Sequence, residues 1–254
     1  MHLYQRLKYQ IMQKFLISKE SIDLETIVIT GQDAKHIYKV LRLKSGDQFP
    51  LTNGKGLDYE GEILSASPDT IQVRLTQPRP STTESPLCLT VCCGMLKDKK
   101  MDMVIKHLTQ LGIVEWIPFF CERSIPTPDS KRLSSRIQRW ETIVKESVKQ
   151  CQRSCLVSIF DPKPFQEVLD LSDNFHQRIA FWEKSSLPLT QLSPTPSGNK
   201  AMILIGPEGG FTDTEIGLAQ ENGFKAYSLG PRILRAETAA ICATTLIQHR
   251  LGDI

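Results

Sequence analysis

Apolar and polar residues alternate in short runs through the first third of the chain. TIVIT (26–30) and TIQVRL (70–75) follow the two-residue period of a half-buried strand. FPLTNGKGLDYEGEIL (49–64) predicts a hairpin whose turn is Asn53-Gly54-Lys55-Gly56. Asp33 is placed to cap a short helix, AKHIYKVLRL (34–43). Together these elements predict a small β-rich barrel. QPRPSTTESP (77–86), rich in Pro, Ser and Thr, then marks a domain boundary.

Beyond that boundary the period changes. LCLTVCCGML (87–96), VEWIPFF (114–120), RIAFWE (178–183), MILIG (202–206) and AYSLG (226–230) read as strands. KKMDMVIKHLTQLG (99–112) carries apolar Met101, Val104, Ile105, Leu108 and Leu111 at helical spacing, and Gly112 stops it. SSRIQRWETIVKESVKQC (134–151) predicts a second helix, and a last one runs from about Glu237 to Leu251. Strands alternating with helices imply a parallel α/β sheet covered on both faces. LPLTQLSPTPSGNK (187–200) reads as an exposed connection.

Composition adds little to this picture. At 254 residues the chain suits two modest domains, and 40% hydrophobic with 23% charged residues is ordinary for a globular protein. No run approaches the roughly 18 apolar residues of a membrane span. The N-terminus has no apolar signal segment, so a cytoplasmic protein is expected. Cys88, Cys92, Cys93, Cys121, Cys151, Cys155 and Cys242 form no CxxC and have no histidine at zinc-finger distance; reduced structural thiols and no metal are the expectation. His107, inside a helical pattern, reads as a packing or surface residue. A net charge of +3 does not by itself argue for nucleic acid.

Two loops carry the chemistry. No GxxxxGK[ST] and no GxGxxG after a strand occurs, which excludes the common phosphate and dinucleotide loops; GKG (54–56) lies in the hairpin. In ILIGPEGGFTDTEI (203–216), Thr212 and Glu215 have capping-box spacing, so a helix starts at about Asp213. Gly206, Gly209 and Gly210 form the loop before it. Glu208 would repel an anion, so a cation or a neutral heterocycle fits better than a triphosphate; a tight turn with no ligand is the other reading. SLGPRILRAETAA (228–240) repeats the strand–Gly-Pro arrangement and adds Arg232, Arg235, Glu237 and Thr238. Its arginines could be surface ion-pair partners, or could grip phosphates or polarise a nucleobase.

The pair LIGPEGGFTDTEI and SLGPRILRAETAA closely resembles the C-terminal motifs of the SPOUT, or trefoil-knot, RNA methyltransferases. In particular it resembles the RsmE family, which methylates N3 of one uridine in the decoding region of 16S ribosomal RNA. FLI (15–17), DAKHIYKVLRLKSGD (33–47), KKMDMVIKHLTQLGI (99–113), IPFFCERS (117–124) and RWETIVKESVKQ (139–150) fall in the family's order. The resemblance implies an α/β fold with a small N-terminal PUA-like β-barrel domain (12–80). A C-terminal α/β trefoil knot (81–254) follows and binds S-adenosylmethionine; residues 1–11 read as an extension. Gln110 and Cys151-Gln152 depart from the family pattern.

Carried onto this chain, the cofactor loops are Phe181, Trp182 and Glu183; then Ile205, Gly206, Pro207, Glu208, Gly209 and Gly210; then Leu229, Gly230, Ile233, Leu234 and Thr238. Uridine N3 must lose a proton before it can attack a methyl group. Arg235, followed by Arg232, is the expected cation beside the base. Glu237 is either the proton acceptor or a favourable charge in the first turn of its helix. Lys35, Lys39 and Arg42 share one helical face at i, i+4 and i+7, as do Arg132, Arg136 and Arg139; both become expected RNA contacts. The implied partners are 16S rRNA in the small ribosomal subunit and a second copy of the chain, with no membrane and no metal. A non-catalytic RNA-binding protein, or a methyltransferase acting on tRNA or a ribose 2′-hydroxyl, are the alternatives.

Overall fold

The computed structural model describes residues 12–17, 25–97, 99–125, 130–193 and 198–254, and the extension read over 1–11 lies outside them. Two compact units are present: residues up to Glu84 joined by Val148–Leu156, and Ser85–Ser147 joined by Val157–Ile254.

In the first unit the strands are β1 (Phe15–Leu16), β2 (Thr26–Thr30), β3 (Gln48–Thr52), β4 (Leu57–Ala66), β5 (Thr70–Leu75) and β6 (Arg79–Pro80). They form one sheet in the order β1-β3-β4-β5-β2, with β6 on β4. The turn between β3 and β4 falls at Asn53–Gly56, where Asn53 Oδ1 accepts from Lys55 and Leu57 backbone N–H groups at 2.8 and 3.1 Å. The alternating pattern buries one face: Phe49, Leu51, Ile63, Ile71 and Val73 pack with Phe15 and Ile37. The stretch 77–86 is not a free tether. It contributes β6, and Glu84 takes Arg153 Nε and Nη2 at 3.0 and 2.7 Å.

The helix read at 34–43 differs from its expectation. α1 spans Gly31–Lys35 with Thr30 as N-cap, so Asp33 lies inside the first turn instead of capping it. Its carboxylate accepts from Lys149 Nζ at 2.8 and 3.1 Å instead. The chain continues as a π-helix, His36–Leu41, and Arg42 follows in the left-handed region (φ 54°). The wider turn lets Ile37 and Leu43 both reach the core. Lys35, Lys39 and Arg42 are exposed, but Arg42 has left the helix, so the three do not share an α-helical face.

A short return segment completes this unit. Ser154 is fully buried, bonded through Oγ to Asp58 and reached by Lys14 Nζ at 2.7 Å; Lys14 also pairs with Asp58 at 2.9 Å.

The second unit holds β7 (Cys88–Gly94), β8 (Glu115–Phe120), β9 (Ser158–Ile159), β10 (Lys163–Pro164), β11 (Gln177–Phe181), β12 (Lys200–Ile205) and β13 (Lys225–Tyr227). All pair in parallel, in the order β10-β8-β7-β12-β11-β13 with β9 beside β8. Its helices are α2 (Lys100–Gln110), α3 (Ser130–Cys151, of which the part up to Ser147 belongs to this unit), α4 (Phe165–Asp170), α5 (Asp213–Glu221) and α6 (Ala236–Leu251). β7 and β12 are buried almost throughout, as strands covered on both faces must be. α3 starts four residues before its predicted first residue, which places Arg132 inside it. The seven cysteines are free thiols, and burial, then the Glu208 charge, push Cys93 up to about 12.

Because every strand runs the same way, the loops after β12, β11 and β13 leave one edge of the sheet side by side. Ligands of parallel sheets bind at such carboxyl ends. The neighbouring order β12-β11-β13 is what gathers 206–212, 182–188 and 228–235 in one place.

Candidate active site

These three loops enclose a cavity of about 230 Å³. Its walls include Phe181, Trp182 and Glu183 from the first loop, Ile205 through Gly210 from the second, and Leu229, Gly230, Ile233 and Leu234 from the third. Of the residues assigned to the cofactor from the sequence, Thr238 alone is off the walls; it lies exposed on α6. Arg232 is on the wall, as are Phe211, Ala236 and Ala239, which sequence reasoning did not single out. The small side chains of Ala236 and Ala239 let the first turn of α6 approach the cavity closely.

The second loop is shaped by its glycines. Gly210 has φ +67°, and a Cβ there would stand 3.0 Å from Glu183 Oε1. At the end of β7, a Cβ on Gly94 would meet Pro207 N at 2.6 Å, so a side chain at this point would push the loop away. Thr212 caps α5 reciprocally: its Oγ1 accepts from Glu215 N at 3.2 Å, and Glu215 Oε2 accepts from Thr212 N at 2.8 Å. Glu215 Oε1 also accepts from Glu122 N at 2.8 Å, and Arg123 Nη1 donates to Gly209 O at 2.8 Å. The loop is thus braced from the segment after β8, a contribution that spacing did not reveal.

Glu208 is braced as well. Its Oε1 accepts from Lys97 N and from Lys100 Nζ, both at 3.1 Å. Partial burial opposes ionisation, but the backbone N–H of Lys97, its own N–H and the Lys100 ammonium outweigh it and hold the carboxyl below its usual range. Lys100 in turn is raised, chiefly by its hydrogen bond to Glu208. The same Nζ lies 3.5 Å from Glu237 Oε2. Glu237 is buried in the first turn of α6 and is not on the cavity wall. Arg235, the N-cap of that helix, is exposed and also off the wall. Lys100 sits in an ordinary helical pattern, and no motif spacing marks it.

A second cavity, of about 380 Å³, opens beside the first. Glu183, Gly230, Arg232 and Ile233 line both. Its remaining lining is Ser185, Ser186, Pro188, Ser228 and Pro231. Ile233 is 85% exposed at the mouth.

The two walls fit a cationic, partly apolar, heterocyclic ligand better than a phosphate. Two carboxylates, Glu183 and Glu208, border the first cavity, and the indole N–H of Trp182 is buried without a partner. Among the described residues, no cluster of three or more His, Cys, Asp and Glu could hold a metal, and no helix is long and apolar enough to cross a membrane.

The basic residues of α3 are unequal. Arg132 is exposed, Arg136 is half-buried with Nη1 unpartnered, and Arg139 is paired with Asp102 at 2.6 Å. Asp102 also accepts from Trp140 Nε1 at 3.0 Å, which fixes the helix against the sheet through the edge-on Trp116–Trp140 pair.

Comparison with known proteins agrees with this arrangement. A model of an RNA methyltransferase domain matches residues 83–248, and a model of an RNA methyltransferase PUA domain matches 29–76. The ribosomal RNA small subunit methyltransferase E of Bacillus subtilis is 30% identical over 94% of this chain and 97% of its own length. The fold is similar to that of the Neisseria gonorrhoeae enzyme of the same name bound to S-adenosyl methionine (TM-score 0.85, 25% identity, 96% of this chain and 99% of that one). It is similar too to a Legionella pneumophila protein in complex with the same cofactor (TM-score 0.84, 26% identity, 96% and 99%). With a catalytic-domain model covering most of its length and a relative matched nearly end to end, this chain belongs to the RNA methyltransferase family of the small-subunit methyltransferases E.

Proposed function

We propose that this chain transfers a methyl group from S-adenosylmethionine to N3 of a uridine in the 16S rRNA of the small ribosomal subunit. The observation that carries the reading is the first cavity: three loops at one sheet edge, walled by apolar groups and the carboxylates of Glu183 and Glu208. Such a wall accepts a sulfonium and a neutral adenine and disfavours a polyphosphate. When bound, the cofactor supplies a methyl group already activated by its positive sulfur. The protein's task is then largely positioning.

Gly206, Gly209 and Gly210 bring backbone up to the ligand, with Phe181, Ile205, Pro207, Leu229, Gly230 and Leu234 closing round it. Arg232, on the wall of both cavities and bonded to no other described residue, stabilises uracil as its N3 proton leaves. Arg235, one turn away on the same loop, suits a phosphate of the RNA. Glu237 acts through Lys100, as part of the frame that joins the loops. Lys35, Lys39 and Arg42, with Arg132 and Arg136, supply sequence-independent phosphate contacts. N3 lies on the pairing edge, so the target nucleotide must be unpaired or splayed out. The knotted form of the second unit, a homodimer and a cytoplasmic location belong to the same reading.

The test is to map modified uridines in 16S rRNA from a strain lacking the gene. Loss of one N3-methyluridine, restored by the chain, is expected. Its persistence overturns the assignment. Calorimetry that detects no cofactor binding at millimolar concentration would point to an RNA-binding protein without activity.

A further inference from the structure

We propose that the second cavity receives the target uracil and that Glu183 accepts its N3 proton. This rests on the methyltransferase reading above and assigns the acceptor's place within it. A methyl group moves in line, so the acceptor must occupy space that adjoins the cofactor cavity. The second cavity does adjoin it, and Glu183 and Arg232 are the charged side chains on the shared wall. Glu183, like Arg232, has no hydrogen bond or ion pair to another described residue, so both charges are available. Glu237, by contrast, is held by Lys100 and lines neither cavity.

The lining also matches the base. The pairing edge of uracil offers an acceptor, the N3–H donor and a second acceptor. An acidic oxygen of Glu183 faces the donor, while the Arg232 guanidinium and the Ser186 hydroxyl serve the carbonyls; the Ser185 and Ser228 hydroxyls are already donated to Ala226 O and Gly230 O. Cytosine presents a lone pair at N3, which Glu183 would repel, so the same carboxylate rejects the wrong pyrimidine. In the reaction the N3 proton passes to Glu183. The electron pair left on the ring, spread over N3 and the carbonyl oxygens, is stabilised by Arg232. That pair forms the new N–CH3 bond as the C–S bond breaks and its electrons return to sulfur, leaving the neutral thioether.

Ile233, 85% exposed and on both walls, caps the base once it has left the RNA stack.

Glu183→Gln and Glu183→Asp test the assignment, with S-adenosylhomocysteine and short RNAs of the decoding-region sequence carrying U or C at the target. Glu183→Gln should lower kcat about 100-fold or more. It should leave the homocysteine analogue's Kd within about twofold and abolish the preference for U over C in binding of the RNA. Glu183→Asp should recover part of both. Weaker analogue binding with kcat intact at saturation would place Glu183 on the cofactor and overturn the proposal, as would an unchanged U/C ratio. If the unmutated protein makes no N3-methyluridine, the underlying methyltransferase reading fails instead.

Discussion

Lys100 Nζ stands 3.1 Å from Glu208 Oε1, and this contact ties the start of α2 to the glycine loop after β12. Through its second contact, 3.5 Å from Glu237 Oε2, the same ammonium reaches the first turn of α6. Two walls of the first cavity are therefore held by one side chain. Glu208 excludes an anion from the loop, but it does so while fixed by Lys97 N and Lys100. Its position is part of the frame, and because Lys100 is shared with Glu237, one ammonium faces two carboxylates and a negative charge remains beside the loop.

Removing Lys100 should loosen that frame. Lys100→Met leaves Glu208 and the buried Glu237 without their shared cation. The Lys100–Glu208 contact is a hydrogen bond between charged groups, and such a bond contributes about 1.5–3 kcal/mol, so cofactor affinity should fall about tenfold or more. The KM for the cofactor should rise while kcat at saturation stays within a few-fold, and Lys100→Arg should restore most of the affinity. Calorimetry with S-adenosylhomocysteine measures it; an unchanged Kd would show that the pair is surface decoration.

Gly210 and Gly94 should tolerate no side chain. At Gly210 the backbone is left-handed and a Cβ would crowd Glu183; at Gly94 it would meet the Pro207 backbone nitrogen at 2.6 Å. Gly94→Ala should displace the loop and destroy cofactor binding with a stability loss of about 1–3 kcal/mol. Gly210→Ala should cost about 1–2 kcal/mol and weaken cofactor binding by straining the left-handed turn of the glycine loop. Urea unfolding and calorimetry on the same samples check both; binding at the original affinity in Gly94→Ala would refute the contact's importance.

Much of this was legible from spacing. The strand period placed the hairpin turn at Asn53–Gly56, and the T-x-x-E pattern placed the capping box at Thr212 and Glu215. The two Gly-Pro loops pointed to the walls because glycine marks close backbone approach wherever the sheet sits. Side chains that act across the sheet left no such mark. Lys100, Arg123 and Gly94 lie in stretches that read as ordinary helix, loop and strand, and their importance arises only from which strands are neighbours. Asp33 misses the cap because the helix starts earlier, with Thr30 as its N-cap. Arg42 leaves the helical face because that spacing assumes a uniform 3.6-residue turn, whereas His36–Leu41 runs as a π-helix with both Ile37 and Leu43 buried.

The Lys100–Glu208 link also sets a pH window. Glu208 is more acidic in the folded chain than its ordinary 4.5, so its contribution is present above that value and lost as pH falls through the folded one. Lys100 is raised above 10.5, so its contribution is present below that value and lost as pH rises past the folded one. The difference in melting temperature between the unmutated chain and Glu208→Gln should be flat from about pH 6 to 9. It should narrow on acidification below the ordinary carboxyl value. A difference that instead grew towards acid pH would reverse the assigned direction.

The first unit depends on a segment from far along the chain. Lys14, Asp58 and Ser154 form a buried cluster in which the Lys14 and Asp58 side chains are only 8% and 14% exposed. Asp58→Ala would leave a buried ammonium uncompensated, a loss of about 3–5 kcal/mol, whereas replacing both charges with Lys14→Met and Asp58→Leu should recover most of it. All three tryptophans, Trp116, Trp140 and Trp182, lie in the second unit. In Asp58→Ala, urea should therefore move the backbone circular dichroism transition to lower concentration before tryptophan emission responds. If the two signals shift together by the same amount, the units unfold as one and the cluster stabilises the whole chain; if neither shifts, the buried pair contributes nothing measurable.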